Sequence, residues 1–144
     1  MWAALLPWAA PAFTLIGWVI VNHQNNDRER RKEARAAADR CKALIREASQ
    51  LGYNYWLGKN GVAPWQIKAH LEELEVEITR FPEKKGRSNL LDKHSDLVDA
   101  IIGWDFESAT MKIKAVDHVV YREIAKARQR LLFEIEQQFA QHFQ

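Results

Sequence analysis

The chain has 144 residues, with 21 Lys and Arg against 19 Asp and Glu for a net charge of +2. That length holds one domain and little more, and so even a balance argues against a general nucleic-acid binder, which needs a clear basic excess. A single cysteine, Cys41, excludes an internal disulfide framework and a cysteine-rich zinc site.

No residue from Trp2 to Val21 is charged. About 20 helical residues rise about 30 Å, the thickness of the hydrocarbon core of a bilayer, so this stretch predicts a transmembrane anchor. A cleaved signal peptide would need a basic start and a small-residue cleavage site, and neither is present. Directly after the span come Arg28, Arg30, Arg31, Lys32 and Arg35. A Lys/Arg excess on that side keeps the following chain in the cytoplasm and predicts an N-terminus outside. The same five residues are candidates for anionic lipid head groups. Trp2 and Trp18 stand where interfacial aromatics belong. Pro7 and Pro11 predict a kink or a late start in the outer third of the helix. Small or compact residues at Ala3, Pro7, Ala10, Thr14, Gly17 and Val21 step by four and three. Ala3, Ala10, Thr14 and Gly17 are the candidate self-association surface, because small side chains let membrane helices approach closely.

Nothing between Val21 and Ala48 breaks a helix, so the anchor is expected to run on into a first cytoplasmic helix. Its apolar positions are Ala37, Cys41, Leu44, Ala48, Leu51 and Tyr55, with Cys41 as a small buried residue. The tract from Gly52 to Gly61 ends that helix. Pro64 opens a second, with a stripe of Ile67, Leu71, Leu74, Ile78 and Phe81. After a loop at 81–86, Ser88 or Asn89 is expected to cap a third helix carrying Leu90, Leu91, Leu97, Val98, Ile101 and Ile102, closed by Gly103. Asp105 is expected to cap a fourth, with Glu107 favourable at its positive end and a stripe from Val116 to Phe139. The fold class is therefore all-α: an anchor over residues 1–22 running into a cytoplasmic four-helix bundle over residues 23–144.

Chemistry has few handles in this sequence. There is no Glu-x-x-His pair, no His-Glu-x-x-His, no nucleophile elbow and no glycine-rich phosphate loop. His70, Glu73 and Glu77 could share a helix face, which reads as solvated rather than as a metal site, and no cofactor is expected. Arg87 and His94 satisfy the longest form of the Arg-x(4–6)-His pattern that helical nucleases of the HEPN class bring together at a dimer interface. A chain with this many Arg and His meets that pattern about once by chance, so the expectation is a loop arginine and a surface histidine, and no enzyme.

The junction from Gly17 to Glu33 and the segment Gly103-Trp104-Asp105-Phe106-Glu107-Ser108 resemble those of small single-pass bacterial inner-membrane proteins of uncharacterised function. That resemblance implies a bacterial inner membrane. By architecture, an anchor followed by a helical domain with an Arg and His pair, the chain also looks like the membrane accessory proteins of type VI CRISPR systems. Such proteins oligomerise into pores that reinforce antiviral defence. The leading expectation is a self-associating assembly or binding module at the inner membrane, with an unidentified cytoplasmic protein partner and no nucleic acid. The alternatives are a membrane-perturbing defence oligomer and a HEPN-type RNase.

Overall fold

The computed structural model describes residues 6–59, 61–81, 86–108 and 113–143, with the side chains of 6–16 and 142–143 outside that description. Among the described residues all regular structure is helical: α1 (Leu6–Trp56), α2 (Pro64–Arg80), α3 (Arg87–Ile102) and α4 (Val119–Phe143). The chain divides into two units, Met1–Glu33 and Ala34–Gln144.

In the first unit α1 is helical from Leu6, the first described residue, through both prolines. No helix among the described residues is long and apolar enough to cross a membrane. Most of the expected anchor lies outside that statement, since the side chains of 2–16 are not described.

In the second unit, contacts between neighbouring helices fix the course of each one. Arg40 pairs with Glu77 and Glu47 approaches His70, so α1 and α2 run in opposite directions. Arg87 reaches Phe81 and His94 reaches Leu71, which does the same for α2 and α3. Gly86 lies against Gln138 and Trp104 against His118, so α3 and α4 are also antiparallel. Arg35 meets Glu136 while Tyr53 meets Tyr121, closing the ring between α4 and α1. This is the up-down bundle that the four stripes predict. Its core is built from those stripes, including Cys41, Ile67, Leu74, Leu97, Ile124, Leu131 and Ile135, each fully buried.

The helix ends carry the local chemistry. Past Trp56, Gly58 adopts φ +65°. There Lys59 N–H bonds to Asn54 O at 2.9 Å and Gly58 N–H to Tyr55 O at 3.0 Å. That is a Schellman ending, and the left-handed position suits glycine. At α2, Pro64 opens the helix and the Gln66 side chain turns back to accept from Ala63 N–H at 2.8 Å. Trp56 ties three segments together. Its indole N–H donates to Ile101 O at 3.0 Å, and its carbonyl accepts from Lys114 N–H at 2.9 Å.

Four expectations are corrected. On α1 it is Ile45, not Leu44, that is fully buried; the inward line passes through Cys41, Ile45, Ala48 and Ser49, leaving Leu44 at its edge. Helix α3 starts at Arg87 with Gly86 as N-cap, and neither Ser88 nor Asn89 caps it. Asp105 does not cap a helix. The segment after Gly103 instead folds over the end of the bundle, where the Phe106 ring lies 4.7 Å from that of Tyr55 and Glu107 N–H donates to the Tyr55 hydroxyl at 3.1 Å. Asp105 pairs with Lys114 at 2.8 Å. Helix α4 begins only at Val119, where the His118 ring accepts from Val120 N–H at 3.2 Å. Val116, expected in the core, is 81% exposed.

Candidate functional site

The first unit is described from Gly17 onward at the side-chain level. Trp18, Val19, Ile20 and Val21 are between 51 and 65% exposed. Successive helical residues step by 100° around the axis, so four in a row circle it. At this level every side of α1 is therefore apolar and open, a pattern that belongs to a helix covered by something other than its own polar face. Two turns later the surface changes sign. Arg28, Arg30, Arg31 and Lys32 are all exposed. Two of the intervening carboxylates are already matched: Asp27 lies 3.3 Å from His23, and Glu29 accepts from Lys32 at 2.9 Å. Gly17, in the candidate self-association surface, has open space where a Cβ would stand. Ala3 lies outside the described residues, as do the side chains of Ala10 and Thr14.

Arg35, a candidate for lipid head groups with the other four cations, is instead engaged within the bundle. Its guanidinium bonds to Glu136 at 3.1 Å, approaches Asp39 at 3.5 Å and stacks 5.1 Å from the Phe139 ring. Lys42 joins the same network, 2.6 Å from Glu136 and 2.7 Å from Asp39. The hydrogen bond from Lys42 holds both carboxyls below their ordinary range, with Arg35 adding to the effect. Burial alone would push the Lys42 ammonium down, but its bonds to Asp39 and Glu136 outweigh that and hold it up. This cluster bridges α1 and α4 at the surface of the bundle, with Lys42 its most buried member.

Arg87 and His94 are not a loop arginine and a surface histidine. Arg87 is the first residue of α3, and its Nη2 donates to Phe81 O at 2.8 Å. His94 is 6% exposed, and its Nε2 meets Leu71 O at 2.9 Å. A carbonyl can only accept, so that nitrogen carries the proton. The reason is spacing: Leu90, His94, Leu97 and Ile101 step by four, three and four, so the histidine takes an inward position in the stripe. Each side chain reaches a backbone carbonyl, Arg87 that of Phe81 and His94 that of Leu71, and so ties α3 to α2.

His70, Glu73 and Glu77 are not brought together. His70 Nδ1 donates to Gln66 O at 3.0 Å, Glu77 pairs with Arg40 and Arg80, and Glu73 is exposed. Among the described residues no three His, Cys, Asp or Glu side chains are placed to hold a metal ion. Cys41 is buried as expected, and desolvation pushes its thiol up to about 11, which makes it unreactive.

A site that the sequence did not announce is a cleft of about 560 Å³ between α3 and α4. Its lining includes the small residues Ala100, Gly103 and Ala127, of which the two alanines are buried. Asp96 and Asp99 stand on the α3 wall, Glu123, Lys126 and Arg130 on the α4 wall, and Trp104 closes one end. Trp104 is 43% exposed, and its ring meets that of His118 at 5.6 Å and 75°. A smaller hollow of about 270 Å³ lies between α1 and α2, beside His70.

No family model, no curated protein and no solved structure matches this chain.

Proposed function

We propose that the chain is a helical assembly and docking module held in a bacterial inner membrane by residues 2–21, with its bundle on the cytoplasmic side. The observation that supports this reading best is the open ring of Trp18, Val19, Ile20 and Val21, followed within two turns by four exposed cations. Each such apolar side chain gains about 1.5–3 kcal/mol when fully buried, and a bilayer covers all of them at once. The cations then stand at head-group depth, where each adds about 1 kcal/mol against an anionic surface and opposes transfer of the bundle to the far side. Gly17, with nothing near it, leaves room for a second copy of the helix, so self-association is part of the proposal.

Expression in a bacterial host, with a cytoplasm-dependent reporter fused after Gln144, tests it. The fusion should stay with the membrane fraction after an alkaline wash, and its reporter should be active. Release of the fusion into the wash, or activity only of a periplasm-dependent reporter at that position, would sink the proposal.

A further inference from the structure

The cleft between α3 and α4 carries opposite charges on its two walls. Asp96 is matched by Lys93 at 3.5 Å, and Glu123 by Lys126 at 2.9 Å, with Arg130 helping Lys126 to hold the Glu123 carboxyl below its ordinary range. The Asp99 carboxylate and the Arg130 guanidinium both line the cleft. They do not meet each other because of where the helices place them. The end of α3 lies beside the start of α4, as the Trp104–His118 contact shows, and the start of α3 lies beside the end of α4, where Gly86 meets Gln138. Asp99 is therefore near the Trp104 end, level with Glu123, while Arg130 stands two turns further along, about 10 Å away.

The Trp104 end suits an ammonium. The Trp104 indole is 43% exposed, so part of its π surface is open to a cation beside the edge-to-face contact with His118. Asp99 adds the counter-charge. The Arg130 end suits a carboxylate or phosphate, whose oxygens a guanidinium can take in pairs. Ala100 and Ala127, both buried, leave room between the two ends for an apolar spacer.

We propose that this cleft binds a small zwitterion, its ammonium against Trp104 and Asp99 and its anionic group on Arg130. The site lies wholly within the bundle and does not depend on the chain being anchored in a membrane.

The test uses the full chain in detergent micelles and three probes of equal length: 6-aminohexanoate, hexylamine and hexanoate. Binding is followed by NMR at the indole N–H signal of Trp104, identified by its loss in Trp104→Phe. The expected result is a saturable shift with 6-aminohexanoate, a weaker one with hexylamine and none with hexanoate. Arg130→Ala should bring 6-aminohexanoate down to the level of hexylamine, a loss of roughly tenfold. Asp99→Asn should weaken both amines by a similar factor. Both substitutions are on exposed positions and leave the core intact. No saturable shift at millimolar probe, equal affinity for 6-aminohexanoate and hexylamine, or wild-type affinity in both variants would overturn the proposal.

Discussion

His94→Ala separates a histidine that holds the bundle from one that decorates it. The imidazole is 6% exposed and donates to Leu71 O at 2.9 Å. Losing that bond costs about 1 kcal/mol. Emptying the space costs more: large-to-alanine changes in a core run from about 2 to 5 kcal/mol, and a polar ring belongs at the low end. The sum is about 3 kcal/mol, and about 4–8 °C of Tm per kcal/mol applies to a body of this size. The assay is urea unfolding of the full chain in detergent, read by circular dichroism, with Lys93→Ala beside it. Lys93 makes only a surface pair with Asp96 at 3.5 Å, so its loss should shift stability by no more than about 0.5 kcal/mol. If His94→Ala behaves like Lys93→Ala, the ring is not part of the core and the account of α3 given above is wrong.

The Arg35, Asp39, Lys42 and Glu136 cluster makes stability depend on acid. Asp39 and Glu136 are held below their ordinary values of 3.8 and 4.5, so their contribution is complete above those values and is lost as pH falls through the folded ones. Lys42 is raised above 10.5, so its part persists until strongly alkaline pH. Urea midpoints measured from about pH 3 to 7 should fall toward acid, and Lys42→Met should flatten that fall; the same slope in both proteins would count against the cluster. In the first unit, Gly17→Leu should reduce crosslinked oligomers of the detergent-solubilised chain, because it fills the open space at Gly17. Unchanged crosslinking would place any self-contact elsewhere.

Periodicity made the bundle legible, and it failed where a residue's chemistry masked its position. Ile67, Leu71, Leu74 and Ile78 could be read straight off as an inward face, and they are buried. His94 sits on the same kind of face, but a histidine between Leu90 and Leu97 reads as an interruption until a backbone carbonyl is found waiting for it. Ile45 is hard to tell from Leu44 as the inward residue because small residues at Ala37, Cys41 and Ala48 mark a broad face. Asp105 and Glu107 look like helix-opening acids and so point to a fourth helix that starts earlier than Val119. The aromatics around them matter more: Phe106 packs on Tyr55 and near Trp56, which holds the segment on the bundle end. The cleft had no sequence signature at all. Its residues are ordinary surface charges, and only the antiparallel course of α3 and α4 gathers them around three small side chains.

Trp56 makes the far end of the bundle a single cooperative unit. Its indole holds the last turn of α3, its carbonyl holds the backbone at Lys114, and the Lys114 ammonium returns to lie 5.5 Å from the indole ring. Moving the backbone at Lys114, in the connection between α3 and α4, means breaking the Trp56–Lys114 bond, and moving Trp56 frees Ile101 in turn. At Lys114 the backbone therefore does not open as surface loops ordinarily do, at almost no free-energy cost and independently of the core. Proteolysis at Lys114 follows the opening of the bundle end around Trp56. The α4 side of the cleft, which begins just beyond that connection, is kept in place by a residue that does not line it.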